Sequence, residues 1–212
     1  MAKIFPTLKL ESRLWKSGYQ YIVGVDEAGR GPWAGPVTAG AVVVSSRDQV
    51  VETVCDSKKM TNRAREESYK AILNKSLAWG VGVIGSNQID SIGIQEAVKK
   101  AMKIAINEVE KRLGKRVDYI ISDGINVLLI DGYPMEKIKA GDTYHYSIAA
   151  ASVVAKVTRD RLMVQYAQQF PQYGFENHFG YGTRVHREAL MRYGMCEIHR
   201  KSYKPIKAIL EA

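Results

Sequence analysis

The chain predicts an α/β fold in which a mixed β-sheet is flanked by helices. Two patterns carry that prediction. Short β-branched runs bounded by Gly or Pro occur at 21–25, 37–45 and 77–84, and longer stretches with helical apolar character occur at 94–113 and 147–169. The two kinds of segment alternate along 212 residues with no repeat, low-complexity tract or linker, so one domain with a full core is expected.

Each element has its own signal. Tyr21-Ile22-Val23-Gly24-Val25 reads as a buried strand and 37–45 as its neighbour, joined by the Gly/Pro-rich stretch 29–36. A third strand covers 77–84. Within 94–113, Ile94, Val98, Ala101, Ala105, Val109 and Leu113 form one apolar stripe, while Glu96 with Lys100 and Glu108 with Arg112 are helix-supporting pairs. Gly114 ends that helix, and a fourth strand at 118–122 delivers Asp123 at its end. Residues 147–169 are Ala-rich where a helix must pack closely. A smaller helix is expected over 184–193, and a basic tail from Arg200.

The chemistry concentrates after the first strand, in Asp26-Glu27-Ala28-Gly29-Arg30-Gly31. Two adjacent carboxylates beside a core are costly to hold ionised unless a cation neutralises them, and a hard divalent metal does this well. Gly29 and Gly31 let backbone approach a ligand closely, with Arg30 between them as a cation suited to phosphate. The segment reads as a metal-dependent site for something carrying phosphates. A P-loop ATPase would need a G-x-x-x-x-G-K-[ST] loop, and the chain has none. A dinucleotide-binding G-x-G-x-x-G is also missing after this strand.

Charge points the same way. Lys and Arg number 31 against 22 Asp and Glu, a formal +9 that favours a polyanion, with nucleic acid the leading candidate. Cys55 and Cys196 lie far apart with no C-x-x-C spacing, which argues against a zinc or disulfide framework and for reduced thiols. No leader-like N-terminus and no membrane-length apolar run is present, so a soluble cytoplasmic protein with no membrane partner is expected.

The strand with Asp26-Glu27-Ala28-Gly29-Arg30-Gly31-Pro32 closely resembles the type 2 ribonucleases H, the ribonuclease HII family. So do Asp56-Ser57-Lys58-Lys59-Met60-Thr61 and the run from Ser147 through Ala155-Lys156-Val157-Thr158-Arg159-Asp160-Arg161. The likeness continues through Tyr173-Gly174-Phe175, His178, Gly180-Tyr181-Gly182-Thr183, His186 and Ile198-His199-Arg200-Lys201-Ser202, in family order over about 17–206. It implies a ribonuclease H-like mixed sheet flanked by helices, with a catalytic core over about 17–170 and a substrate-contacting helical part over about 171–212. It also implies four catalytic carboxylates that bind metal, Asp26, Glu27, Asp123 and Asp142, and two Mg²⁺ or Mn²⁺ ions during catalysis. Asp131, in a second Asp-Gly pair, competes with Asp123; Asp123 is preferred because it ends a clean strand.

The implied substrates are RNA–DNA hybrids and duplex DNA bearing single ribonucleotides, cut 5′ of the ribonucleotide. The resemblance gives the backbone of Gly29, Arg30 and Gly31 the task of reading the 2′-hydroxyl, and Tyr181 that of packing on the next sugar. Ser57, Lys58 and Lys59 are expected at backbone phosphates. Lys156 and Arg159 are counted with the substrate contacts, although at least one is expected to serve structure through Asp160. His178, His186 and His199 are read as structural, and a monomer is expected. This chain departs from the family at Thr143-Tyr144-His145-Tyr146, at Phe179 and at Trp33, none of which removes a metal ligand. Two other readings stay open here: another nuclease of the same superfold, such as a junction resolvase, and a non-catalytic hybrid-binding module.

Overall fold

The computed structural model describes residues 4–124 and 127–210. In chain order the elements are α1 (Lys9–Lys16), β1 (Ile22–Ala28), β2 (Val37–Val43), α2 (Asn62–Lys75), β3 (Ala78–Ile84), α3 (Ser86–Ile92), α4 (Ile94–Leu113), β4 (Tyr119–Asp123) and β5 (Met135–Ile138). They continue with α5 (Gly141–Tyr144), α6 (Tyr146–Gln169), α7 (Phe175–His178), α8 (Arg184–Tyr193) and α9 (Lys204–Leu210). The sheet runs β3-β2-β1-β4-β5. β1–β2 and β2–β3 are antiparallel, whereas β1–β4 and β4–β5 are parallel, so the sheet is mixed as the alternation of elements predicts.

Period-2 alternation decides what each sheet face buries. Val23, Val25, Ala39, Ala41 and Val43 pack under α4, which presents Val98, Ala101, Met102, Ala105 and Val109. The opposite face carries Val42 and the Ala-rich side of α6, with Ile72 of α2 behind it. Both long helices lie close to the sheet because a glycine faces a small helical residue. A Cβ on Gly40 would strike the Ala151 carbonyl of α6, and one on Gly82 would strike the Ala101 carbonyl of α4. Any larger side chain at either position would push its helix off the sheet.

The C-terminal third has its own apolar cluster, in which Tyr173, Phe175, Leu190, Ile198 and Ile206 surround Met163 near the end of α6. α1 is joined to the sheet by Leu10 and Leu14, which meet Ile22, Ile121 and Ile148. Its buried Glu11 carboxylate accepts from the Ser147 amide (2.9 Å) and hydroxyl (2.7 Å) at the start of α6. Among the described residues no helix is long and apolar enough to cross a membrane.

Two sequence expectations change. β1 does not stop at Val25 but runs through Asp26 and Glu27, which pair with Gly40 and Ala39 of β2. Arg200 does not open a basic tail: it is fully buried, and α9 follows it.

Candidate active site

Strand register assembles the acidic site. β1 and β4 are parallel with Val25 opposite Ser122, so the next residues, Asp26 and Asp123, arrive side by side at the carboxyl ends of two adjacent strands. The chain then returns along β5 and turns through Ala140, in a left-handed conformation, into α5. The Gly141 amide donates to Asp123 Oδ1 at 2.6 Å, which places Asp142 next to Asp123. Carboxylate oxygens of Asp26, Asp123 and Asp142 all lie within 4.8 Å of one another.

Glu27 stands beside this trio rather than in it. Its carboxylate is still close enough to push up the Asp26 carboxyl, second only to burial. Its Oε1 accepts from Arg30 Nη1 at 3.1 Å, while its Oε2 is buried with no hydrogen-bond partner among the described residues. Asp131 is exposed and paired with Lys99 at 3.0 Å, outside the cluster.

Crowding and burial set the charges. Burial holds the Asp26 carboxyl well above its ordinary range, with Glu27 and Asp123 pushing the same way and the Ser152 hydroxyl opposing. Burial also raises Glu27, against the pull of Arg30. Asp142 is raised by burial and then by Asp123, with Lys58 at 3.9 Å opposing. Partial burial pulls the Lys58 ammonium down, but Asp142, Asp26, Asp56 and Asp123 together outweigh it and hold it above the usual lysine range.

Beside the carboxylates lies a cleft of about 240 Å³. Of the nine residues the sequence named for substrate contact, eight line it: Gly29, Arg30, Gly31, Ser57, Lys58, Lys156, Arg159 and Tyr181. The ninth, Lys59, is exposed and paired with Asp56 at 3.4 Å. Tyr181 leans over the cleft half-exposed, and a Cβ on Gly31 would stand 3.8 Å from its ring. Gly29 has φ +98°, and a Cβ there would collide with the Arg159 side chain. A larger cavity of about 850 Å³ lies under α1 and contains none of these residues.

Some of the lining side chains are spent on the protein itself. The Arg159 guanidinium is buried and donates to the carbonyls of Pro36 (2.9 Å) and Ala34 (3.2 Å), so it supports the 29–36 loop from behind. Burial and then the neighbouring Arg200 lower its pKa to about 10, which leaves it charged at neutral pH. Ser57 is buried against Ser152, its Oγ 2.9 Å from the other hydroxyl. Lys156 donates to Asp160 at 2.6 Å and lies over the Phe179 ring, so it is Lys156 rather than Arg159 that pairs with Asp160.

The site chemistry suits hard divalent cations. Three carboxylates share one small volume, and the Glu27 Oε2 lone pairs have no donor among the described residues. A sequence model of one family, Ribonuclease HII, matches residues 23–206, which takes in every residue of this site. The chain belongs to the ribonuclease HII family. This member is 46% identical over 204 residues to the ribonuclease HII of Acholeplasma laidlawii, an alignment covering 96% of this chain and 97% of that one. It matches the ribonuclease HII in the PCNA:RNase HII complex of Archaeoglobus fulgidus with TM-score 0.72 and 25% identity, over 87% of this chain and 95% of that one. The Bst-RNase HIII structure in complex with Mn²⁺ shares the fold at TM-score 0.69 and 20% identity, covering 91% and 70% of the two chains. The enzyme is thus an endoribonuclease of a hydrolase family, built on the ribonuclease H fold.

Three further residues hold this site in shape; the sequence pointed to Asp160 as a structural partner, gave Arg65 no role and read Arg200 as the start of a basic tail. Arg65 is buried in α2 and donates to the carbonyls of Ser57 and Met60, fixing the turn that presents Lys58. Arg200 donates to the carbonyls of the Gly29–Arg30 segment. Asp160 joins Arg65, at 3.6 Å, to Lys156. A buried arginine that donates to backbone carbonyls leaves no spacing pattern, so neither periodicity nor charge spacing reveals this task for Arg65 or Arg200.

Proposed function

We propose that the enzyme hydrolyses the RNA strand of RNA–DNA hybrids and nicks duplex DNA on the 5′ side of a single embedded ribonucleotide, leaving 3′-hydroxyl and 5′-phosphate ends. One observation supports this above the rest: the Asp26–Asp123–Asp142 trio, with Asp26 and Asp142 buried, opens beside a cleft walled by glycine backbone and the Tyr181 ring. A ribose discriminator needs such a wall, because a 2′-hydroxyl is recognised by donors and acceptors close enough to exclude water.

Asp26, Glu27, Asp123 and Asp142 would hold Mg²⁺ or Mn²⁺, two ions during the reaction, and bound there the ions supply a deprotonated water and charge neutralisation at the scissile phosphate. The peptide groups of Gly29, Arg30 and Gly31 bind the 2′-hydroxyl. Tyr181 packs on the following sugar and favours deoxyribose there. Lys58 and Lys59, on an exposed turn, meet backbone phosphates, while Ser57, Lys156 and Arg159 keep the cleft walls in place. The whole chain acts as one catalytic domain with a helical C-terminal part. The free thiols of Cys55 and Cys196 fit a reducing compartment, and we place the enzyme in the cytoplasm.

The test is incubation of a duplex carrying one ribonucleotide with Mg²⁺, Mn²⁺ or EDTA, followed by mapping of the nick. Cleavage 5′ of the ribonucleotide with either metal, and none in EDTA, is expected. Cleavage of an all-DNA duplex would point to a general nuclease, and binding without turnover in any metal would point to a hybrid-binding module.

A further inference from the structure

Arg200 is completely buried, yet no carboxylate is among its hydrogen-bond partners. Its Nη2 donates to the carbonyls of Gly29 (2.6 Å) and Pro36 (3.0 Å), its Nη1 to the Arg30 carbonyl (3.0 Å) and the Tyr203 hydroxyl (2.8 Å), and its Nε to the Gly35 carbonyl (2.9 Å). The Tyr203 hydroxyl in turn donates to the Arg30 carbonyl at 2.6 Å. A guanidinium has five N–H donors in a rigid fork, and here all five are matched, four of them by one short loop.

The carbonyls chosen matter. The Gly29 carbonyl belongs to the same peptide unit as the Arg30 N–H, and the Arg30 carbonyl to the same unit as the Gly31 N–H. A cation on a carbonyl oxygen withdraws electron density through the amide and makes the N–H at its other end a stronger donor, more so in a low-dielectric setting. Those two N–H groups belong to the segment that faces the cleft beside Tyr181. The neighbouring residue reaches the other wall. His199 contacts His186 Nε2 to Nε2 at 3.0 Å, and His186 Nδ1 stands 2.9 Å from the Tyr181 carbonyl. Adjacent residues of one short segment thus hold both walls.

We propose that Arg200, assisted by Tyr203, is a positioning residue for ribose recognition: it fixes the Gly29–Arg30–Gly31 backbone and polarises its peptide groups toward the 2′-hydroxyl. This rests on the reading that the same backbone recognises ribose, and the experiment separates the two. Affinity is measured, with Ca²⁺ replacing the catalytic metal, for a duplex with one ribonucleotide and for the same duplex made entirely of DNA. The ratio of the two reports the hydroxyl alone, because phosphate contacts are common to both.

Wild-type enzyme should prefer the ribonucleotide duplex. Arg200→Lys should lower that preference by about tenfold or more, and Tyr203→Phe by about threefold, with affinity for the all-DNA duplex unchanged. Restored preference is not expected from lysine, since an ammonium cannot serve four carbonyls at once. Equal weakening on both duplexes would make Arg200 a folding residue and overturn the proposal. So would an unchanged preference in Tyr203→Phe, which keeps the ring and decides the matter should Arg200→Lys fail to fold. A wild type that binds both duplexes alike overturns the ribose reading itself, and this proposal with it.

Discussion

The Nε2 atoms of His186 and His199 stand 3.0 Å apart, and their neighbours decide which of the two carries a proton. The Tyr181 carbonyl can only accept, so His186 Nδ1 donates to it and His186 Nε2 is the acceptor. His199 Nε2 therefore donates, and its Nδ1 accepts from the Cys196 amide at 2.9 Å. Each ring is neutral in this arrangement.

A pH dependence follows from that pair. Burial lowers both imidazoles to about 4, helped for His186 by the His178 ring stacked on it at 4.6 Å and by His199. In the unfolded chain each titrates near about 6.5, so between about 4 and 6.5 the unfolded state binds more protons. The contribution to stability is complete above the unfolded value and is lost as pH falls through the window. Thermal unfolding in EDTA from pH 7.5 to 4.5 should show a steeper loss for wild type than for His199→Gln. Parallel curves would remove the histidine pair from the explanation.

Asp26→Asn should stabilise the metal-free protein and abolish cleavage. Asparagine keeps an oxygen for the Glu27 amide, which Asp26 Oδ1 accepts at 2.8 Å, but removes a buried charge facing Glu27, Asp123 and Asp142. Relief on the order of 1 kcal/mol corresponds to a melting temperature about 2–4 °C higher in EDTA. The rise in melting temperature on adding Mn²⁺ should shrink, and cleavage should fall by more than the about 100-fold that loss of an outer-shell partner costs. Asp131→Asn serves as the control and should cut normally. A destabilised Asp26→Asn with full activity would break the metal-site reading.

Much of this was legible because long, periodic elements announce themselves. The apolar stripe of α4 and the Ala-rich α6 were readable almost to the residue, and so was α8. The elements missed have weak patterns. α2 is polar along most of its length and starts from a Thr61 cap, whose hydroxyl accepts from the Ala64 amide. β5 is a four-residue strand with no fully buried position, and α1 relies on only two buried leucines. In the site, Asp26 and Asp123 showed themselves as carboxylates at strand ends. Asp142 did not, because it enters on one turn of helix after a left-handed Ala140 and only the family resemblance found it. The sequence also could not separate Asp26 from Glu27, since that depends on β1 running three residues further than its apolar run.

Lys58→Ala isolates the phosphate term. The side chain is largely exposed, and its turn is held by Arg65 and by the Asp56 carboxylate, which accepts from the Lys58 amide at 3.0 Å. Removing one phosphate contact should weaken hybrid and all-DNA binding alike and reduce the slope of log affinity against log salt by about 1. An unchanged slope would place the backbone path elsewhere.

Tyr181 tests the other wall of the cleft. It is 46% exposed, although the His186 contact fixes its backbone and Gly182 is pressed against Trp33, so the ring is held by its frame rather than by a core. Tyr181→Ala should therefore leave the melting temperature within about 2 °C of wild type, as expected for a surface change. It should slow single-turnover cleavage at a lone ribonucleotide by about 10–100-fold, because the sugar that follows the ribonucleotide no longer helps hold the strand in line with the carboxylates. Binding, which phosphates dominate, should change little. Tyr181→Phe keeps the ring and should retain most of the rate. The deciding comparison uses three duplexes: all-DNA, one ribonucleotide and continuous hybrid. A loss concentrated on the lone ribonucleotide, where the next sugar is a deoxyribose, supports the packing role. An equal loss on both cleavable duplexes, together with a lowered melting temperature, would make Tyr181 a residue of the fold.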